Sequence, residues 1–260
     1  MLSWQATLKL AFYFKTMGVR IFELSFQSNT SGRKHMSKPI RLSQERAMTD
    51  MELLTSLHLS ALKYNQYADK KLLYIYRANT QNAPYENYEV FFGRENFIHL
   101  VGFKRAKINA IEFFDKCCSG TLQLHEVSFK ESRKATSSKL DIITQLLDYR
   151  HAKVYKIGNA DLITEKNRFE LGVGNYAGLI GFDHRKPCPS LPVPVTILKK
   201  PLTDYVSKPE NVLAILMKAK YDKYYNTVIG CVSSGLDVNI LPQNIQAKLS
   251  PVLSTIRPPN

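Results

Sequence analysis

The chain changes texture near Lys153, and this change constrains its fold more than any other feature. Before that point apolar residues recur at three- and four-residue spacing over long segments. After it, short apolar pieces are punctuated by Gly and Pro. Met48, Met51, Leu54, Leu57, His58, Ala61 and Leu62 mark one amphipathic helix. Ile108, Ile111, Phe114 and Cys118 mark a second, within Lys104–Cys118, and Leu140, Ile143, Leu146 and Leu147 a third, within Ser137–Tyr149. Between the first two, Lys71–Tyr76 and Tyr88–Phe92 are aromatic and β-branched runs. Turn residues over 79–85 separate them, predicting a hairpin. The later half offers strand-like pieces at Val154–Ile157, Arg168–Val173, Tyr176–Phe182, Val193–Leu198, Val212–Lys218 and Tyr224–Cys231. Helices first and strands later, without regular βαβ alternation, imply an α+β fold with helices packed on an antiparallel or mixed β-sheet.

A length of 260 residues fits one large domain with an appendage. The apolar pieces of Met1–Arg20 are interrupted by Lys9, Lys15 and Arg20, so neither a signal-peptide core nor a membrane span fits. Ile21–Phe26 reads as a strand and Ser28–Lys38 as a polar linker; Met1 and Met36 are alternative starts. The expected organisation is an N-terminal arm and linker over 1–40, a compact domain over 41–240 and a Pro-rich tail over 241–260. The tail carries four prolines and ends the fold.

Charge bears on function. Thirty-six basic residues against 22 acidic ones give a net +14, a field that favours polyanions and makes nucleic acid the first partner to consider, with simple solubilisation as the alternative. Residues 130–157 hold seven Lys or Arg against three acids, and residues 184–223 hold eight against three. These windows read either as borders of one RNA-binding cleft or as ordinary solvated surface. Cys117, Cys118, Cys188 and Cys231 form no CxxC pair, which suggests neither a zinc site nor a disulfide framework and fits a reducing cytoplasm.

Several motifs fail on spacing. Gly172-Val-Gly174-Asn-Tyr-Ala-Gly178 is one residue off the dinucleotide fingerprint and joins two strand-like pieces, so it predicts a tight β-turn. His125-Glu126 begins like a zinc-protease motif, but Phe129 stands where the second histidine ligand belongs. The sequence contains no Walker A or GxSxG pattern, and Cys117 and Cys118 read as packing residues. A basic chain with scattered His, Lys and Tyr suits RNA cleavage without metal or cofactor. In that chemistry a base frees the ribose 2′-oxygen to attack the adjacent phosphate, cations hold the developing charge, and an acid protonates the leaving oxygen.

The order of short motifs carries a more specific signal. Asn96-Phe-Ile-His99-Leu-Val-Gly102-Phe103 is followed by Phe113-Phe114, then helical Lys139-Leu140. Ile180-Gly-Phe182, Pro192-Val-Pro-Val-Thr196-Ile-Leu198, and Ile215-Leu-Met-Lys218 with Tyr224 come next. Over roughly Met48–Ile229 this succession resembles the fourth group of phage-associated barnase/EndoU/colicin/RelE-like nucleases. The resemblance implies a ribonuclease-like α+β fold used as a toxin or effector domain in phage and mobile elements. It implies His99 as acid or base and Lys139 and Lys218 as phosphate-stabilising cations. It further implies Thr196 as a phosphate contact and Tyr224 as a base-stacking or proton-donating residue. Each has a structural alternative: a core histidine, solvated lysines, a cross-strand threonine and a packed tyrosine. No glutamate stands out as the base. The expected activity is metal-independent endoribonuclease action on tRNA or other cellular RNA in the cytoplasm, with an acidic immunity protein as a further partner and no membrane. The alternatives are a non-catalytic nucleic-acid-binding phage accessory protein and a protein-interaction module for an acidic partner.

Overall fold

The computed structural model describes residues 48–259 apart from 79, 81, 106, 162–168, 185–190 and 233. The arm and linker expected over 1–40, the strand at Ile21–Phe26, the start of the compact part near Arg41 and Cys188 lie outside the described residues.

Helix α1, Asp50–Asn65, starts at a capping box in which the Thr49 hydroxyl accepts from Glu52 N and the Glu52 carboxylate takes the Thr49 N–H. Its buried face is Leu53, Leu57, Ala61 and Tyr64, which shares Leu57 and Ala61 with the predicted stripe but is turned from it, since Met51 is 74% exposed and Leu62 is also exposed. Both stripes have helical spacing. Packing selects the one ending in Tyr64, whose ring lies 5.2–5.8 Å from Phe92, Phe97 and Phe114. Strands β1 (Lys70–Arg77) and β2 (Glu86–Phe92) then form the expected antiparallel hairpin.

The single-turn helix α2 (Phe97–Leu100), strand β3 (Phe103–Arg105), helix α3 (Ala110–Ser119), strand β4 (Val127–Phe129) and helix α4 (Arg133–Leu146) follow. The sequence places a helix from Lys104, whereas Phe103–Arg105 pairs with β4 and the helix starts only where Asn109 accepts from Ile111 N and Glu112 N. The chain continues through β5 (Lys156–Asn159), β6 (Leu171–Asn175), β7 (Gly178–Asp183), β8 (Val193–Leu198), β9 (Glu210–Ala219), β10 (Thr227–Cys231), β11 (Leu236–Asp237), helix α5 (Gln243–Gln246) and β12 (Thr255–Ile256).

Eight strands form one sheet in the order β2-β1-β9-β5-β6-β7-β8, with β10 also paired to β9, and each of these pairings is antiparallel. The sheet curls until Phe91 N donates to Pro192 O (2.9 Å), joining the β2 edge to the chain entering β8. The fold is therefore α+β on an antiparallel sheet. Among the described residues, no helix is long and apolar enough to cross a membrane.

Alternation sorts strand side chains between a helix-side core and the opposite face of the sheet, which carries two further apolar clusters, one of them around Leu179, Phe169, Leu202 and Val206. Leu72, Tyr74, Phe92, Ile180, Phe182 and Ile197 face the four helices, while Leu73, Ile75, Ala214 and Leu216 face Leu236, Ile245, Leu249 and Ile256. The helix-side core includes six buried tyrosines, of which Tyr67, Tyr74, Tyr149 and Tyr155 pack ring to ring. Tyr74 OH donates to Tyr149 OH (2.9 Å), Tyr67 OH to Leu147 O (2.8 Å) and Tyr155 OH to Gln145 O (3.0 Å). Each hydroxyl thus has the partner that burial demands. Burial pushes the Tyr67 hydroxyl up to about 12 and raises the other three as well.

The glycine-rich segment at 172–178 forms the predicted turn: Asn175 pairs with Gly178 across β6 and β7, and the Asn175 side chain accepts from Ala177 N (2.8 Å). A Cβ on Gly178 would lie 2.3 Å from the Leu198 carbonyl oxygen, a backbone atom fixed by the β7–β8 ladder. Gly178→Ala is expected to destabilise the protein by about 1–3 kcal/mol, lowering the melting temperature by roughly 3–10 °C in thermal denaturation.

Candidate functional site

The segment Phe97–Gly102 fixes the best-formed candidate site. Phe97, Ile98, Leu100 and Val101 are fully buried, which leaves His99 as the one partly exposed residue of α2. The turn ends at Gly102 with φ +87°, a left-handed conformation natural to glycine, and its N–H donates to His99 O (3.2 Å). The Gly102 carbonyl accepts from Lys130 N (2.9 Å) and Thr136 Oγ1 (3.3 Å), tying the turn to α4. A Cβ there would stand 3.0 Å from Thr136 Oγ1 and 3.6 Å from Lys139 Nζ. Gly102 is thus the close-approach point that seats the His99 turn against Lys139.

The Lys139 side chain is only 12% exposed, and its ammonium lies 3.8 Å from Glu131 Oε1. Burial lowers its pKa below the ordinary lysine range; Glu131 opposes that shift and Lys130 adds to it. Lys130 acts on Lys139 electrostatically, and exposed Lys104 and Arg105 of β3, Lys107 and Lys134 lie on the same stretch of chain as this pair or on the strand beside it. The β3–β4 ladder and the bond from Lys107 N to Glu126 O (3.0 Å) bring the two basic stretches together. A partly exposed imidazole, a shielded ammonium and a cationic border can hold an anion and move a proton beside it.

The other three candidates lie elsewhere. Both α2 and α4 pack on β8, which carries Thr196. Alternation, however, puts Thr196 on the face opposite Ile197, whose side chain is in the helix-side core. Lys218 emerges from β9 on the face of Ala214 and Leu216. Its ammonium donates to Lys223 O (3.1 Å) and lies 4.4 Å from the Tyr225 ring centre. Burial also lowers its pKa, with Glu89 opposing. Half-buried Tyr224 adjoins it, and Lys223 Nζ is 4.9 Å from that ring. The turn carrying His99 approaches Lys139 at Gly102 on the helix side, whereas Lys218 emerges on the opposite face of the sheet. The two basic windows therefore do not meet in one cleft at these residues, because successive strand positions point to opposite faces.

Sequence reasoning missed Thr136, Glu131 and Gly102 as the residues that hold the turn after His99 and the Lys139 side chain in place. The left-handed glycine after a short apolar turn was the available signal. It also missed buried Tyr225, whose hydroxyl donates to Glu89 Oε2 (3.0 Å) while Lys248 pairs with the same carboxylate. The His125-Glu126 pair belongs to a structural cap: the Glu126 carboxylate binds Lys116 and takes Gln123 N–H, which lowers its pKa. Cys117 is buried, and burial raises its thiol pKa. Among the described residues, no group of three His, Cys, Asp or Glu could hold a metal ion.

The family model described as "phage-Barnase-EndoU-ColicinE5/D-RelE like nuclease4" matches residues 56–229, about two thirds of the chain. Comparisons with curated proteins and with solved structures give no match.

The lowered Lys139 pKa has a thermodynamic sign. Between the folded value and the ordinary value of about 10.4, the unfolded chain binds more protons, so this residue makes stability rise with pH across that window. Below it, the full cost of the shielded cation is present. Lys139→Met should therefore raise the melting temperature relative to the parent at neutral pH, by a few degrees at most, and the gain should shrink as pH climbs into the window. Parallel thermal melts at neutral and alkaline pH check this, and an unchanged difference would contradict it.

Proposed function

Since the chain belongs to the phage-barnase-EndoU-colicin E5/D-RelE-like nuclease family, we propose that it cleaves RNA by 2′-hydroxyl attack on the adjacent phosphate, without a metal ion. The observation that supports this reading is the Gly102 close approach, which brings the turn carrying the partly exposed His99 up to the shielded Lys139 side chain. Imidazole titrates near neutral pH and can take the 2′-proton or return one to the leaving 5′-oxygen. An ammonium held out of water stabilises the charge developing on the phosphate more strongly than a solvated one. Lys104, Arg105, Lys107, Lys130 and Lys134 supply the cations that would retain the backbone. The reading extends to a toxin or effector of phage or mobile-element type acting in the cytoplasm on tRNA or other cellular RNA, with an acidic immunity protein meeting the same cations. Thr196, Lys218 and Tyr224 fall outside this pair and receive no catalytic role in it.

Incubation of the purified protein with tRNA and total RNA, with and without chelator, tests the reading. Discrete products should form in chelator and end in 2′,3′-cyclic phosphate, and 2′-O-methyl RNA should resist. Chelator-sensitive cleavage restored by magnesium would replace this mechanism with a metal-assisted one, and RNA retention without products would favour the non-catalytic binder. His99→Ala should slow cleavage by roughly 10²- to 10⁴-fold, with the thermal transition and RNA affinity nearly intact. A destabilised His99→Ala protein that still cuts at the parent rate would identify His99 as structural.

A further inference from the structure

The connection from β9 to β10 carries a second cationic surface, on the face of the sheet turned away from the helices. Lys218 and Lys71 are cross-strand partners there, and exposed Lys220 and Lys223 follow in the turn. Aromatic rings alternate with these cations. Lys220 Nζ lies 5.5 Å from the Phe91 ring centre and 5.3 Å from that of Tyr221. Lys223 stands 4.9 Å from Tyr224 and Lys218 4.4 Å from Tyr225. The carboxylates on this surface are engaged: Glu89 is held by Lys248 and Tyr225 OH, and Asp222 faces Ala219 N–H (3.3 Å).

Tyr221 is 89% exposed, so a large ring stands in water where no packing requires it. A free aromatic face flanked by ammonium groups matches a ligand that alternates flat bases with phosphates. A duplex keeps its base faces stacked inside, so only an unpaired strand offers both. We propose that the β9–β10 turn is a docking surface for single-stranded RNA, with Tyr221 stacking a base and Lys220, Lys223 and Lys218 bordering the phosphates. The identity of the strand as RNA rests on the function proposed above; the surface itself rests on the geometry of this turn. An acidic protein would satisfy the cations but leave the exposed ring unused.

The test uses the full chain and a short fluorescent 2′-O-methyl oligoadenylate, which cannot undergo 2′-hydroxyl attack. Tyr221→Ala should weaken binding about 5- to 100-fold, with its thermal transition unchanged, while Tyr221→Phe keeps parental affinity. Lys220→Gln should lower the slope of log affinity against log salt by roughly 0.7. Parental affinity in Tyr221→Ala would overturn the proposal, as would equal losses for oligoadenylate and polyglutamate, which would mark the surface as a site for acidic proteins. The two readings fail separately. If the parent cleaves RNA but the Tyr221 variants bind alike, the docking surface falls and the nuclease reading stands. If single strands bind through Tyr221 and no RNA is cut, the reverse holds.

Discussion

Strand β1 is buried on both sides, and the rest of the architecture answers to that requirement. Leu72, Leu73, Tyr74 and Ile75 are each fully shielded, although successive residues point in opposite directions. A strand of this kind needs an apolar layer above and another below. The helices α1 to α4 supply one, and the chain from Leu236 to Ile256 supplies the other. The latter has little regular structure, yet it covers Leu73, Ile75, Ala214 and Leu216, so the apolar side of the central ladder would face water without it. Residues 241–256 are in this sense a lid over the sheet, with Leu241, Ile245, Leu249 and Ile256 buried beneath exposed Gln243, Asn244 and Pro251.

Local pattern made the elements legible, and tertiary choice made some of their details illegible. The β1–β2 hairpin, the β6–β7 turn and the helix-then-strand order follow from spacing, β-branched runs and turn residues, which are properties of neighbours in sequence. The buried stripe of α1 depends instead on which ring it meets: Tyr64 finds Phe92, Phe97 and Phe114, and Met51 is left in water. The β3 strand is too short to show a period, and only its partner β4 defines it. The closing contact between Phe91 and Pro192 joins residues about a hundred positions apart, beyond the reach of any local pattern.

The candidate site shows the same division. The family-like motifs marked His99 and Lys139, but the approach of the Gly102 turn to the Thr136 and Lys139 side chains depends on a left-handed glycine without a Cβ. Thr196 and Lys218 lie in strands, where a one-residue difference reverses the face; their chemistry was readable and their direction was not. The arrangement that results puts a shielded ammonium and an imidazole on the helix side and an open array of lysines and aromatic rings across the sheet. Under the proposed function, this would separate two demands that conflict in one place: reacting groups work best when screened from water, whereas a surface that captures a long polyanion must be accessible.

The knot of tyrosines between sheet and helices has an optical consequence. Tyr67, Tyr74, Tyr149 and Tyr155 hold their protons far above the ordinary phenol range, so in the folded protein they stay neutral while exposed tyrosines ionise. Once unfolded, they would lose those protons near pH 10. Their contribution to stability is complete below that value and drains away as alkalinity rises toward the folded values. The ultraviolet signature of tyrosinate would therefore develop in two stages, a graded one from the surface and a cooperative one when alkali opens the core. The chain thus carries a native chromophore whose ionisation reports the opening of its own interior.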